Sequence, residues 1–310
     1  MITVAGEALM DVIAERSGSL RALPGGAPFN VARTVARLGC RCTFLGVLSD
    51  DALGERLRAA LIEAGVTLGV PAASHAPTTL ALAQLDECGV AGYRFHLQGT
   101  SAAMLQVSDI STGLLERSHA LALGGLGLVI EPTGSTLLQA LSRSSPRTVV
   151  ILDPNCRPSA ISDLERFRER IATILPRVDV VKLSVEDLRL LAGEGDLRGA
   201  ARRMLDQGPA AVLLTDGPAP VIVLSPGAER AVPVPDVKVV DTIGAGDAFV
   251  AGFLAWWRLQ GCGRAEIANM DLLVSAAAAA VEVASAGCTV QGADLPKDFR
   301  WAAAASSPRL

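Results

Sequence analysis

Apolar positions along this chain follow two rhythms. Near-continuous runs of strand length at 2–5, 43–48, 120–123, 148–152, 178–182 and 211–215 alternate with longer amphipathic stretches at 30–38, 52–64, 164–175, 197–207 and 247–260. Runs such as TVVILD and AVLLT lack polar alternation, as expected of strands buried on both faces of a parallel sheet. Strands separated by helices predict βαβ units and a doubly wound α/β fold, with a parallel central sheet flanked by helices. Two segments break the rhythm. The strand-like TLALAQL (79–85) and YRFHL (93–97) are joined by the turn-like DECGVAG with no helix between them. They predict an antiparallel pair that 9–14 is placed to join. Such a sheet, built from about 9–16 and 78–100 and projecting from a single α/β domain over 1–310, is expected to form a lid.

Composition adds mainly exclusions. The chain has 310 residues, of which 50% are hydrophobic, enough for a large core. Its net charge is −4 and no Lys/Arg block occurs, which argues against a nucleic-acid partner. The opening MITVAGEALMDVIAERSG has no basic stretch before its apolar run, and Glu7 and Asp11 interrupt it, so it is a poor signal peptide. The run LLVSAAAAAV, between Asp271 and Glu282, is short of the ~20 residues needed to span a bilayer, so no membrane partner is expected. Six cysteines without a CxxC pair or clustered histidines read as free buried thiols. A cytoplasmic protein is the expectation.

Two segments carry chemistry. In DTIGAGDAFVAGFLAWW (241–257), Phe249, Phe253 and Trp256 recur at i, i+4 and i+7 and predict an amphipathic helix. Gly244, Ala245 and Gly246 then lie at its N-terminus, where converging N–H groups and the helix dipole favour an anion. Asp247 falls in the first turn. It either stabilises the helix terminus or takes a proton from a hydroxyl attacking a bound phosphoryl group, and spacing alone leaves both open. In LPGGAPFNVARTVARLG (23–39), Val31, Val35 and Leu38 form the helical stripe and Gly39 the stop. Gly25 and Gly26 permit close backbone approach to a ligand. Asn30 offers an amide to sugar hydroxyls, although on this segment alone a plain Gly-Gly turn with an Asn near the helix start is the better explanation. Neither segment is a P-loop or a GxGxxG fingerprint.

Together, GGAPFNVARTVARLG and DTIGAGDAFVAGFL resemble the two signatures of the PfkB/ribokinase family of carbohydrate kinases. GEALMD, DPNCRP, VVKLSVEDL, TDG and CTVQGADLP extend the resemblance along the chain. It implies a ribokinase-like fold and direct, in-line transfer from ATP to a small sugar. Asp247 would be the general base, with the backbone of Gly244, Ala245 and Gly246 as anion hole. Asp11, Gly25, Gly26 and Asn30 match sugar-binding positions, with Phe95 on the lid strand and Arg157 near the phosphates or an acidic substrate group. Lys182, Ser184, Thr215 and Gly217 match the nucleotide site, and Asn269 a position near the adenine. Asp241 and Ile243 lie where relatives bind potassium. The family's NxxE motif reads Ser184-Val185-Glu186-Asp187 here, so Mg²⁺ is expected but which of Glu186 and Asp187 serves it through water is open. The resemblance also implies a homodimer joined through lids.

For the sugar, β alternation puts Tyr93, Phe95 and Leu97 on one face and Arg94, His96 and Gln98 on the other. Kinases of 2-keto-3-deoxygluconate resemble FYYRxGSA here, and Leu97 falls where their arginine stands. Together with GEALMD, GGAP and KLS, this makes the chain resemble fructokinases, with fructose as the expected substrate. A sugar-acid kinase is the alternative. A non-catalytic sugar-binding regulator should have lost Asp247 or the glycines before it.

Overall fold

The computed structural model describes residues 1–14, 19–85, 91–111 and 113–302. The distal end of the segment 9–16, Cys88 and most of the 86–92 connector lie outside them. In chain order, β1 (Ile2–Ala5), β2 (Leu9–Ala14) and β3 (Leu20–Gly25) precede α1 (Ala27–Arg37). Then come β4 (Cys42–Leu45), α2 (Ala52–Glu63), β5 (Thr67–Leu68), β6 (Leu80–Leu85), β7 (Ala91–His96), β8 (Ala120–Gly124), α3 (Thr133–Arg143), β9 (Val149–Asp153) and α4 (Leu164–Ile174). The last part holds β10 (Val180–Ser184), α5 (Val185–Ala192), α6 (Leu197–Leu205), β11 (Ala211–Asp216), β12 (Ala219–Ser225), β13 (Ala228–Val232), α7 (Ala245–Leu259) and α8 (Met270–Gly287).

The apolar runs form a nine-stranded sheet in the order β13-β12-β11-β10-β9-β8-β1-β4-β5. From β5 to β11 every pairing is parallel. Ala5 lies level with Leu45 on one side and Leu123 on the other. The carboxyl ends of the central strands therefore open on one edge. The chain runs from β1 outward to β4 and β5, then returns to β8 on the other side of β1. That reversal makes a crevice beyond the strand ends, the place where open α/β sheets bind ligands.

At one edge the sheet turns antiparallel through β12 and β13. This hairpin has no counterpart among the expected strands, because its edge position leaves APVIVLS and AERAV only partly buried. The second sheet runs β3-β2-β6-β7. As expected, 79–85 and 93–97 pair antiparallel, with Leu80 opposite His96, and β2 joins them, parallel to β6. The additional strand is β3, whose LRALPG carries a proline tolerated on an edge strand.

Helix α1 starts three residues before the expected 30–38, with Gly26 as N-cap and a proline in the first turn, so Asn30 lies one turn inside. In α7 the buried stripe is Phe249, Phe253 and Trp257 rather than Trp256, which is only half-buried. Phe253 stacks on Trp257 at 5.6 Å, and the Trp257 indole donates to the Gly263 carbonyl. The short apolar run near 272–281 is part of the 18-residue α8, which by length and composition alone could cross a membrane; half of it is buried in the protein, and it packs on α7. Cys40, Cys42, Cys156, Cys262 and Cys288 are free thiols.

The α7–α8 contact fixes where the first turn of α7 sits. Phe253→Ala should therefore lower stability by about 3–5 kcal/mol in urea denaturation, the range for a fully buried aromatic. A loss below about 1 kcal/mol would contradict this packing.

Candidate active site

The N-terminus of α7 lies at the carboxyl edge of the sheet. Gly244, its N-cap, has φ 76°, a conformation other side chains rarely adopt. At Gly246 a Cβ would come within 2.8 Å of the Lys182 ammonium, so the missing side chain lets that cation approach the helix end. Asp247 follows in the first turn and is buried.

Two amides flank the Asp247 carboxylate. Asn30 Nδ2 on α1 donates to Oδ2 at 2.8 Å, and Asn155 Nδ2, just beyond β9, donates to Oδ1 at 3.3 Å. Burial raises the Asp247 pKa, and the Asn30 hydrogen bond, Lys182 and Arg157 oppose that rise only in part. Asn30 Oδ1 is buried without a partner, an acceptor left for a ligand hydroxyl.

Below the helix end, Lys182 Nζ on β10 donates to Asp153 Oδ2 on β9 at 3.0 Å, both side chains buried. Burial lowers the Lys182 pKa, but Asp153, Asp187 and Asp247 outweigh it, so the ammonium is held charged. Burial lifts Asp153 to about 6 against the pull of Lys182. Asp11 on β2 is likewise lifted to about 6, chiefly by burial, with Arg157 opposing and Asp247 adding. Glu7, just past β1, is pushed to about 7 by burial while Gly127 N donates to its Oε2 at 2.9 Å.

Glu7, Asp11, Asn30, Asn155, Lys182 and Asp247 line a polar cleft of about 490 Å³, with Tyr93 and Phe95 of β7 on its wall and Asp153 behind Lys182. The two rings are stacked, 6.1 Å between centroids. A second cleft of about 630 Å³ is largely apolar, lined by Val221, Val234, Val239, Phe249, Val281 and Ala284 among others, together with Thr215 and Gly217. Lys182, Ser184, Thr242, Ala245 and Gly246 line both. The two clefts meet at the α7 N-terminus, with Asp247 on the polar side.

Of the residues singled out from the sequence, the polar cleft gathers Asp11, Gly26, Asn30, Phe95, Arg157, Glu186, Asp187, Ile243 and Asp247. Gly25 is not on its wall; a Cβ there would run into the Asp11 carboxylate, so it makes room for Asp11 instead. Asn269, expected near the adenine, lines neither cleft. It caps α8, accepting from Asp271 N and Leu272 N, whereas the apolar cleft is lined by the other end of that helix. Leu97 packs with Leu9 and Ala81 behind the cleft wall without lining it, and Arg94 is exposed.

The Ser184–Asp187 run is a capping box. Ser184 Oγ accepts from Asp187 N, while Asp187 Oδ2 accepts from Ser184 N and Ser184 Oγ. Its Oδ1 accepts from Cys156 N at 2.7 Å, so Asp187 is committed to the fold, whereas Glu186 is exposed beside the cleft. Asp241 accepts from Ile243 N and Gly292 N, tying the loop before α7 to the segment after α8. Glu7, Asp153 and Asn155 were not singled out, although each ends or follows a buried strand at the sheet's carboxyl edge. A charged residue at or just past the end of such a run, as in ITVAGE or TVVILD, is the signal that could have found Glu7 and Asp153; Asn155 carries no such signal.

Residues 1–299 match the model of the pfkB family of carbohydrate kinases. The chain belongs to this family. As a pfkB sugar kinase it is 34% identical over 276 residues to a fructokinase of Rhizobium leguminosarum bv. trifolii, covering 87% of this chain and 84% of that protein. Among solved structures, it is similar to fructokinase with bound ATP from Xylella fastidiosa, with 28% identity, a TM-score of 0.86, and 94% and 93% of the two chains covered. Aminoimidazole riboside kinase from Salmonella enterica, complexed with its riboside and an ATP analogue, has 26% identity and a TM-score of 0.82, covering 94% of each chain. Fructokinase from Vibrio cholerae in its fructose-, ADP- and calcium-bound form has 26% identity and a TM-score of 0.81, again covering 94% of each. The fold of this kinase is ribokinase-like, a mixed sheet with a parallel centre flanked by helices, plus a smaller second sheet.

The buried Glu7 carboxyl generates a pH test. Its pKa is raised from 4.5 to about 7, so its stabilising contribution is present below pH 4.5 and lost as pH rises through 7. Glu7→Gln keeps an oxygen for Gly127 N and removes the charge. The variant should melt several degrees above wild type at pH 8 and close to it at pH 5 in thermal scans. Equal differences at both pH values would show that Glu7 is not held above its usual range.

Proposed function

We propose that this kinase transfers the γ-phosphoryl group of ATP to fructose, with Asp247 as general base. The observation that carries this reading is a buried carboxylate at a helix N-terminus, where a polar cleft and an apolar cleft meet. The resemblance to fructokinases supports the choice of sugar.

The sugar occupies the polar cleft, its hydroxyls held by Asp11 and by the unpartnered Asn30 Oδ1. The nucleotide base lies in the apolar cleft near Thr215 and Gly217, and the phosphates reach the α7 N-terminus. Lys182 and the 244–247 backbone face the transferred group and offset the charge that develops on it. The attacking hydroxyl oxygen forms the new O–P bond as the bond from phosphorus to the β–γ bridging oxygen breaks. ADP leaves with that electron pair, and the hydroxyl proton passes to Asp247. The raised pKa of Asp247 makes it a stronger base than an exposed aspartate.

Glu186 is exposed on the cleft, where a water shell can form, and fits Mg²⁺ bound through water, whereas Asp187 is buried and accepts from Ser184 and from Cys156 N. Bound Mg²⁺ neutralises charge on the β- and γ-phosphates. Asp241 retains lone pairs beyond its two backbone contacts, so the 241–243 loop fits a potassium ion. The second sheet, with Tyr93 and Phe95 over the cleft, serves as lid within one domain, and its exposed edges serve homodimer formation. The cytoplasm is the compartment assigned.

A sugar acid is the second reading, favoured by Arg157, which lines the cleft near Asp11 and is the arginine there able to meet a substrate carboxylate.

Coupled ATP-consumption assays with fructose, ribose, 2-keto-3-deoxygluconate and aminoimidazole riboside, with Mg²⁺ and K⁺ present, should show turnover with fructose foremost. Preference for the keto-acid would establish the second reading. Asp247→Asn should lower kcat by about 10²–10⁴-fold with ATP affinity largely kept, and near-normal turnover would remove it as base. Asp11→Ala should raise the sugar KM, and an unchanged KM would remove Asp11 from the sugar site.

A further inference from the structure

Asn155 is the one non-glycine residue with positive φ, 42°, among the described residues. Asparagine tolerates this conformation because its short side chain and neighbouring backbone bond locally. The turn around it is fastened on both sides. Asp153 Oδ1 accepts from Asn155 N at 3.1 Å, and Asp187 Oδ1 accepts from Cys156 N at 2.7 Å. Both anchoring carboxylates are buried, and Asp153 is itself paired with Lys182.

The fastened turn aims the Asn155 amide at Asp247 Oδ1, while Asn30 holds Oδ2 from the other side. A carboxylate gripped at both oxygens by amides from different elements cannot rotate freely about its Cβ–Cγ bond. We propose that Asn155 is a positioning residue for phosphoryl transfer, fixing the Asp247 carboxylate so that one oxygen stays turned toward the sugar hydroxyl.

This rests on Asp247 as base. Asn155 acts through that carboxylate and not on the substrate. At 3.3 Å the contact is long, as hydrogen bonds of unliganded sites commonly are before substrate tightens them. A donor on the ionised carboxylate also favours the charged, base-competent form. That donor matters because the carboxylates of Glu7, Asp11 and Asp153 face Asp247 as well, with Lys182 and Arg157 the nearby cations.

Two substitutions separate the amide from the backbone shape it sits on. Asn155→Gly adopts the same φ without strain but removes the amide, whereas Asn155→Ala removes it and strains the turn. Asn155→Gly should lower kcat by about 10- to 100-fold, the loss expected for a hydrogen bond to a charged group, with KM for sugar and ATP little changed. The acid limb of its kcat–pH profile should move to higher pH. In Asn155→Asp, which keeps the shape but replaces a donor by a second negative charge, the limb should move further.

Wild-type kcat and acid limb in Asn155→Gly, with a defect only in Asn155→Ala, would reduce Asn155 to a shaper of the turn and overturn the proposal. A raised sugar KM at unchanged kcat would overturn it too, making Asn155 a sugar ligand. Should Asn155→Gly fail to fold, Asn155→Ser, which removes the amide without adding charge, decides: a lowered kcat at unchanged KM supports the proposal, and wild-type kcat overturns it. Asp247→Asn, assayed alongside, keeps the two claims apart. Full activity there removes the base itself, whereas an inactive Asp247→Asn beside a wild-type-like Asn155→Gly removes only the positioning.

Discussion

A single buried carboxylate at the start of α7 is the constraint around which the rest of the molecule is arranged. Taking Asp247 out of water is unfavourable unless its charge is met by donors or cations. The fold supplies the N-terminal dipole of α7, amides from α1 and from the turn after β9, and the field of Lys182 and Arg157. Apart from the dipole of its own helix, none of these is local in sequence. Asn30 and Asp247 are separated by 217 positions, and the packing of α1 against α7 brings them together. The site therefore exists only when the nine-stranded sheet and the α7–α8 pair are both in place.

The same arrangement separates two chemistries. On one side of the helix end the walls are carboxylates, amides and an arginine; on the other they are valines, a phenylalanine and small residues from α8. A hydroxyl-rich ligand suits the first and a flat, weakly polar base the second. Lys182 stands where the two meet, held there by Asp153 and admitted by the absence of a side chain at Gly246. Glu7 and Asp11 on the polar side, and Asp153 behind Lys182, are held above the usual carboxylate range chiefly by burial, so this side of the junction favours protons.

What could be read from the sequence was what local pattern encodes. Continuous apolar runs announced the parallel centre of the sheet, and Gly244 to Gly246 before an apolar stripe announced the start of α7. Edge strands were less visible: β3 ends in Pro-Gly, and β12 and β13 bury only part of each face. Asn155 and Glu7 escaped because their significance lies in what they approach across the sheet, not in their neighbours along the chain. Asn269 is the converse case, a residue with a contact close by along the chain. An asparagine at a helix start has a local explanation, the cap it forms, and that explanation is sufficient. Asp187 is similar, since the capping box with Ser184 and the bond to Cys156 N use the carboxylate that the family pattern would give to magnesium.

The central claim is that sugar and nucleotide meet across the α7 N-terminus beside Asp247. Calorimetric titration of fructose, with and without MgADP–aluminium fluoride as a mimic of the transferred phosphoryl group, tests it most directly. The account predicts that the mimic tightens fructose binding by about 5- to 150-fold, as expected for two ligands coupled through one junction. Fructose affinity unchanged by the mimic would mean that the two clefts do not work as one site, and would contradict the account.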